Sequence, residues 1–195
     1  MSNTSHSALL VMDYQEGIVS RFAGSELLDR TRSVISTARE AQIPIIYVVV
    51  KFRVGYPEIS PNNKTFSQLA TSGYSFDEAS PTTAIHSAVA PLPGDIVVTK
   101  RRVGAFSGSD LEVVLRSQGI TSLVLAGIAT SGVVLSTLRA AADMDYQITV
   151  LSDCCADSDE EVHRVLMEKV FPRQAEVITE EVWRRRYEAK DGATP

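Results

Sequence analysis

The stretch SLVLAGIATSGVVLSTLRAAADMDYQITVLSD, residues 122–153, determines the fold class of this chain. Its two ends, Ser122–Gly127 and Gln147–Asp153, are continuous apolar runs without strict alternation of apolar and polar residues. Such runs indicate strands that are buried on both faces, as in a parallel sheet. Between them, Ser131–Asp143 has the amphipathic spacing of a helix. The stretch therefore predicts a right-handed strand–helix–strand crossover.

The same patterns recur on both sides of this unit. Further strands are predicted at Ala8–Asp13, Pro44–Val50, Asp95–Lys100 and, for a short sixth strand, near Ala175–Thr179. Further helices are predicted at Glu26–Gln42, Ser109–Gln118, Asp159–Val170 and Glu180–Lys190. We predict an α/β fold with three layers, α/β/α, around a mostly parallel, Rossmann-like sheet of about six strands. Residues 1–195 are expected to form a single domain.

Composition narrows the classes of function. Apolar residues make up 44% of the chain and charged residues 22%, which is typical of globular domains. A net charge of −5 argues against a general nucleic-acid binder, whose affinity comes from clustered Lys and Arg. No apolar run approaches the roughly 20 residues that span a bilayer. The polar residues 1–7 and the adjacent Cys154 and Cys155, which are poorly placed to pair, favour the reducing cytoplasm.

A long connection rich in Pro, Ser, Thr and Gly, residues 51–93, separates the second and third predicted strands. Connections of this length in compact domains are usually functional. We expect it to serve the active site or to form a dimer contact, together with Trp183 in the tail.

Three unusual features stand at the carboxyl ends of strands, where parallel sheets bind ligands. The first strand ends in Asp13, the third ends in Lys100, and the fourth opens into the small residues Gly127–Gly132. A carboxylate, an ammonium group and a helix N-terminus are the parts of an acid–base site that can hold an anion. Taken singly, each is as well explained by a cap, a solvated charge or a turn. Gly127–Gly132 also lacks the glycine patterns of nucleotide sites.

Several segments then resemble a known superfamily. The segments are LLVMDYQ at 9–15, VVTKRRVGAFSGSDL at 97–111, residues 123–153 of the stretch above and DEEVHRVL at 159–166. They resemble the isochorismatase-like, or cysteine hydrolase, superfamily, which includes nicotinamidases, N-carbamoylsarcosine amidases and isochorismatases. The resemblance covers nearly the whole chain in the expected order, and it implies the α/β fold inferred above.

The resemblance implies roles for particular residues. Asp13 becomes the catalytic carboxylate and Lys100 the basic residue beside it. The peptide bond between Ile128 and Ala129 is expected to be cis, and the backbone N–H groups that follow, near Ala129 and Thr130, are expected to bind the substrate as oxyanion donors.

One departure from the superfamily pattern changes the expected chemistry. Amidase members have a cysteine three residues beyond the threonine after the fourth strand, and here Thr130 is followed at that distance by Val133. A valine side chain cannot attack a carbonyl group, so an acyl-enzyme cannot form through Val133. Cys154 and Cys155 lie about twenty residues later, and we expect them to be small buried side chains.

The metal site of nicotinamidases is also not expected. Those relatives carry an Asp and closely spaced histidines after the second strand, whereas residues 51–63, KFRVGYPEISPNN, contain no histidine. His6, His86 and His163 are far apart in sequence and lack metal-site spacing. We therefore expect no metal and no cofactor.

Other residues are weaker candidates for contact with a small anionic substrate. Gln15 and Phe106 occupy positions that often line the pocket of the superfamily, and Gly104 stands where many relatives have serine. The candidates in loops that could reach an anion are Arg53, Tyr56, Arg101 and Arg102.

Two classes of function remain open. The first is a thiol-free, isochorismatase-type hydrolase in which Asp13 is the general acid and Lys100 its partner, acting on a small carboxylated substrate. The second is a divergent member that binds a small ligand or serves as an oligomeric interaction protein. Hydrolysis of an amide or ester by Asp13-activated water is a third possibility. The resemblance also implies a homodimer or higher homo-oligomer.

Overall fold

A computed structural model describes residues 6–21, 24–71, 73 and 75–188. Six strands form one sheet, and their bounds are β1 Ser7–Met12, β2 Ile45–Val50, β3 Ile96–Lys100, β4 Ser122–Ile128, β5 Gln147–Ala156 and β6 Glu176–Ile178. The strand order is β3-β2-β1-β4-β5-β6, and every neighbouring pair is parallel. This is the order of doubly wound Rossmann sheets, so the predicted fold class is confirmed.

The described helices are α1 Glu16–Val19, α2 Ser25–Glu40, α3 Lys64–Thr71, α4 Leu111–Ser117, α5 Leu135–Asp143, α6 Glu160–Val165 and α7 Glu180–Glu188. Two of the predicted helices, Ser131–Asp143 and Asp159–Val170, are π-helical over part of their length. A π-helical turn, Thr130–Val134, precedes α5, and a second one, Leu166–Val170, follows α6. Residues 189 and 190 of the predicted C-terminal helix lie outside the described residues.

Helices cover both faces of the sheet because the strands are apolar on both faces. In β1, Leu10 and Met12 pack in the cluster that includes residues of α4 and α5. Leu9 and Val11, which alternate with them, pack in the cluster that includes residues of α2 and α7. Complete burial of each such side chain contributes about 1.5–3 kcal/mol. Continuous burial of β1 on both faces therefore requires the three-layer arrangement.

Gly127 allows the segment after β4 to approach β1 closely. A Cβ at this position would lie 3.1 Å from Val134 Cγ2 and 3.2 Å from Met12 Cβ, closer than most real Cβ contacts. Gly127 pairs with Met12 in the parallel register of β4 and β1. The carboxyl ends of these two central strands thus open into one crevice at the point where the strand order reverses.

Trp183 attaches α7 to the body of the fold. Its indole is only 1% exposed and packs in the cluster that includes Val34 and Ile35 of α2. Its ring centroid lies 4.8 Å from that of Tyr187. The expectation that Trp183 supplies an oligomer contact is therefore wrong, since the side chain is buried within its own chain. None of the helices in the described part of the chain has the length and apolar character needed to cross a membrane.

Truncation of this anchor gives the first prediction. Trp183→Ala should lower the free energy of unfolding by about 3–5 kcal/mol, because it leaves a cavity beneath α7. Val182→Ala on the same helix is the matched control, since Val182 is 45% exposed and should change stability by less than about 0.5 kcal/mol. Urea unfolding followed by circular dichroism measures both. Equal losses in the two variants would contradict a buried anchor at Trp183.

Candidate active site

Asp13 immediately follows β1, and its backbone conformation ends the strand. Its φ is 61°, in the left-handed region that Asp tolerates better than most residues. Its N–H still donates to the Val48 carbonyl at 2.8 Å, so the bond to β2 is kept through the turn. Backbone strain of this kind is maintained only where the surroundings enforce it, often at functional sites.

Asp13 forms a buried ion pair with Lys100, the last residue of β3. Lys100 Nζ lies 2.9 Å from Asp13 Oδ2, and the two side chains are 2% and 7% exposed. Lys100 Nζ also donates to the Arg102 carbonyl at 3.1 Å. Among the described residues, Asp13 Oδ1 is buried and has no hydrogen-bond partner. This oxygen is therefore the atom of the pair whose hydrogen-bonding capacity the described residues leave unused.

Burial controls the protonation of Asp13. Desolvation raises the pKa of the carboxyl group above its ordinary value of 3.8, while the charge and the hydrogen bond of Lys100 lower it, and desolvation dominates. A carboxyl group with a raised pKa can hold a proton closer to neutral pH than an exposed Asp does. The site can thus supply a general acid as well as a general base.

The pair faces a pocket of about 190 Å³. Asp13, Lys100 and Arg21 are its charged residues, and the remaining ones are apolar or small: Ile18, Val50, Phe66, Leu69, Phe76, Val103, Ala129, Gly132 and Val133. Three of these, Phe66, Leu69 and Phe76, come from the long connection 51–93. The pocket is therefore largely apolar, with the Asp13–Lys100 pair at the ends of β1 and β3 and Arg21 as its third charged residue.

The segment after β4 forms one wall of the pocket. The peptide bond between Ile128 and Ala129 is cis, as the resemblance implies. The N–H groups of Gly132 and Val134 donate to the Ala129 carbonyl, and that of Ser131 donates to Asp157 Oδ2 at 2.7 Å. These three N–H groups are thus bonded within the protein and cannot all serve as free oxyanion donors. Donation to the substrate by the N–H groups of Ala129 and Thr130 stays a prediction.

Thr130 is fully buried, and its hydroxyl is bonded to a histidine rather than presented to the pocket. The distance from Thr130 Oγ1 to His163 Nδ1 is 2.7 Å. Burial lowers the pKa of His163, although Asp157 opposes this effect. The bond ties α6 to the first residue of the π-helical turn.

The two cysteines lie elsewhere. Cys154 and Cys155 are free and buried in β5, on opposite faces of the sheet. Burial raises the pKa of Cys155 to about 12, and it also raises that of Cys154 well above its ordinary value. Within the described residues, the lining of the pocket contains no cysteine, whereas Val133 forms part of it.

Several candidate residues from the sequence lie outside the pocket lining. The amide of Gln15 is fully bonded, since it accepts from the Val50 N–H and donates to the Val50 and Thr83 carbonyls. Phe106 packs on the core near Tyr146, with ring centroids 6.1 Å apart. The Tyr56 hydroxyl accepts from the Phe76 N–H at 3.0 Å and is also hydrogen-bonded to the Ser75 hydroxyl at 3.3 Å, both within the long connection.

The candidate arginines bind Glu58 and do not line the pocket. Arg53 Nη1 donates to Glu58 Oε1 at 2.6 Å, and Arg101 Nε donates to the same oxygen at 2.8 Å. Arg102 Nη2 donates to the Glu58 backbone carbonyl at 3.2 Å. The sequence predicts that these cations lie in loops that could reach an anion, but it does not reveal Glu58 as their shared partner.

Sequence reasoning also missed seven pocket residues, namely Ile18, Arg21, Val50, Phe66, Leu69, Phe76 and Val103. Arg21 follows α1, and Phe66, Leu69 and Phe76 belong to the long connection. The sequence signals that could have identified some of them are the closeness of Arg21 to Asp13 and the presence of Phe66 and Phe76 in the long connection. In the described ranges, no group of three or more His, Cys, Asp or Glu side chains is arranged to hold a metal ion.

Comparison with known proteins identifies the family of this chain. Residues 7–182 match the Isochorismatase domain. The chain belongs to the isochorismatase family. Members of this family, amidohydrolases among them, are hydrolases, and the present chain is a hydrolase of the isochorismatase family.

Three relatives illustrate the match. The chain is 31% identical over 167 residues to the uncharacterized isochorismatase family protein YwoC of Bacillus subtilis, with 86% of each chain covered. It is 33% identical over 171 residues to the ureidoacrylate amidohydrolase RutB of Stutzerimonas stutzeri, covering 76% of this chain and 69% of that protein. An isochorismatase family protein from Burkholderia thailandensis superposes with a TM-score of 0.80 at 28% identity, covering 94% of this chain and 96% of that one.

Removal of the Lys100 ammonium group should lower the free energy of unfolding, and this loss should depend on pH. At neutral pH, Lys100→Met should lower the free energy of unfolding by about 3–5 kcal/mol, because it leaves the Asp13 carboxylate buried without its partner. Without Lys100, the pKa of Asp13 rises further. A carboxyl group whose pKa is higher in the folded state favours folding below pH 3.8, and this contribution is lost as the pH rises through the folded pKa. The deficit should therefore grow with pH.

Urea unfolding from about pH 4 to about pH 8 measures this dependence. The double variant Asp13→Asn/Lys100→Met is the control, since it has no carboxyl group at this position and should not show the added loss at high pH. A deficit in Lys100→Met that stays constant or shrinks as the pH rises would be incompatible with a buried Asp13 carboxylate.

Proposed function

We propose that this hydrolase works without a nucleophilic thiol and uses Asp13 as a general acid on a small carboxylated substrate of the isochorismate type. The observation that carries the proposal is the buried Asp13, whose Oδ2 contacts Lys100 and whose Oδ1 has no hydrogen-bond partner among the described residues. The resemblance to the superfamily suggests that Val133, which lines the adjacent pocket, stands at the cysteine position. A carboxyl group held in this way can transfer a proton, whereas a valine cannot attack.

Vinyl-ether cleavage needs only proton transfer and water. Asp13 protonates the terminal vinyl carbon of an enolpyruvyl ether, and the electron pair of the double bond forms the new C–H bond. Water adds to the resulting oxocarbenium carbon and gives up a proton, which restores Asp13. The hemiketal then collapses into pyruvate and an alcohol. Lys100 orients the Asp13 carboxyl group and favours binding of the substrate carboxylate.

Charge and size of the pocket favour a small anion. When Asp13 is protonated, it no longer balances the charge of Lys100, and the ammonium group then attracts a carboxylate. The volume of about 190 Å³ is below the usual range of about 300–1,000 Å³ for drug-sized ligands. The apolar walls suit a cyclic or unsaturated body, and substitution of Val133 by a bulkier residue would obstruct it.

The test is pyruvate release from isochorismate, coupled to lactate dehydrogenase. Asp13→Asn keeps the shape of the side chain but cannot donate an acidic proton, so it should lower kcat by about 10²–10⁴-fold. Val133→Ala keeps Asp13 and has no nucleophile, so it should retain activity. Equal turnover in the wild type and Asp13→Asn would exclude Asp13 as the acid. No turnover in the wild type would remove isochorismate as the substrate.

A second candidate is hydrolysis of a small amide, which the relatives favour. RutB is named a ureidoacrylate amidohydrolase, and a protein of Pseudomonas putida that is 23% identical over 180 residues is named a maleamate amidohydrolase. In this chemistry, ionised Asp13 would activate water as a general base. Ammonia release from ureidoacrylate or maleamate, again with Asp13→Asn as control, separates this candidate from ether cleavage. Tight binding of either acid without turnover would indicate a ligand-binding protein.

We further propose that the chain is a single domain that acts in the cytoplasm as a homodimer or higher homo-oligomer. The two cysteines, free and buried in β5, suit a reducing compartment. The resemblance to the superfamily, whose members commonly form dimers or higher oligomers, supports a contact between copies. Sedimentation equilibrium measures the oligomeric state, and a monomer at micromolar concentration would contradict this part of the proposal.

A further inference from the structure

Glu58 connects two loops near the active site. It lies between β2 and α3, and its side chain is 13% exposed. Its Oε1 accepts from Arg53 and Arg101, and its backbone carbonyl accepts from Arg102. Partial burial alone would raise the pKa of Glu58, but hydrogen bonds from Arg101, Arg53 and the backbone lower it overall, so the residue is ionised at neutral pH. Glu58 thus holds both arginines of the turn that follows β3.

The same turn supplies the second acceptor of Lys100. Lys100 Nζ donates to the Arg102 carbonyl at 3.1 Å and lies 2.9 Å from Asp13 Oδ2. Because the Lys100 side chain is almost completely buried, acceptors within the protein rather than solvent determine where Nζ lies. A shift of the Arg102 carbonyl would therefore move the ammonium group relative to Asp13.

We propose that Glu58 is a positioning residue for the Asp13–Lys100 pair. Its carboxylate binds Arg101, and its backbone carbonyl accepts from Arg102. These contacts hold the Arg102 carbonyl in place, and this carbonyl keeps Lys100 Nζ at hydrogen-bond distance from Asp13. The effect on catalysis rests on the proposed function, whereas the effect on the geometry of the pair does not. Glu58 is not part of the pocket lining, so it acts through Lys100 and not on the substrate.

Two consequences of removing Glu58 have opposite signs, and this makes the proposal testable. Loss of a negative charge acting only through space favours the ionised form of Asp13 and lowers its pKa. Loss of positioning weakens the contact with Lys100 and raises the pKa of Asp13. The other charged groups that face the pocket, Lys100 and Arg21, are the same in the wild type and in the variant. The direction of the shift therefore distinguishes the two effects.

The experiment is a ¹³C-detected NMR titration of the Asp13 carboxyl carbon. Glu58→Ala removes the contacts of the carboxylate with Arg53 and Arg101 and keeps the backbone contact with Arg102, and it should raise the pKa of Asp13 by roughly half a unit. Glu58→Gln should raise it by less, because the amide oxygen can still accept from Arg101. Glu112→Ala, which removes an exposed ion pair with Arg116 on α4, is the control and should leave the pKa unchanged. A lowered or unchanged pKa of Asp13 in Glu58→Ala would overturn the proposal. If Glu58→Ala does not fold, the direction of the pKa shift in Glu58→Gln is used in its place.

Kinetics give an independent readout where turnover is found. Glu58→Ala should lower kcat roughly tenfold with little change in KM, because the reacting geometry is disturbed while the pocket lining is intact. A raised KM with unchanged kcat would instead assign Glu58 to substrate binding and overturn the proposal. Absence of turnover in the wild type would refute the proposed function, but the NMR titration would still test the positioning role.

Discussion

Burial of the Asp13–Lys100 ion pair is the constraint on which the arrangement of this molecule depends. Two charges withdrawn from water are tolerated only when their geometry is good and their remaining hydrogen bonds are supplied. The two residues come from strands that flank β2 and do not pair with each other. The registers in which Met12 pairs with Val48 and Val50 with Lys100 bring both strand ends to the same edge of the sheet. Packing of apolar side chains on both faces therefore determines where the charges meet.

The long connection 51–93 completes the site by covering this edge. It contributes Phe66, Leu69 and Phe76 to the pocket, and these apolar side chains keep the surroundings of the ion pair dry. Gln15 anchors the connection to the sheet, because its amide bonds to both Val50 and Thr83. Gln15 thus holds the connection that supplies pocket residues, although its own side chain is not part of the lining.

The strands and the charged residues at their ends could be predicted because both depend on local sequence. Continuous β-branched runs are typical of buried parallel strands, and Asp13 and Lys100 were identified as candidates from their positions at strand ends. Val133 became a candidate only through the resemblance to the superfamily. Phe66, Phe76 and Glu58 could not be predicted in their present places, since the folding of the connection brings them together over long sequence distances. The π-helical turn was missed because its apolar pattern differs from that of an α-helix by only one residue.

The π-helical turn Thr130–Val134 holds one residue more than an α-helical turn of the same rise. Removal of a single residue there could be absorbed as ordinary α-helix without disturbing β4 or α5. Each residue advances an α-helix by about 100°, so the deletion would rotate a different side chain into the position of Val133. Relatives that differ by one residue in this turn could therefore present a different pocket wall on an unchanged sheet. Insertion and deletion, and not substitution alone, offer this fold a route to new substrates.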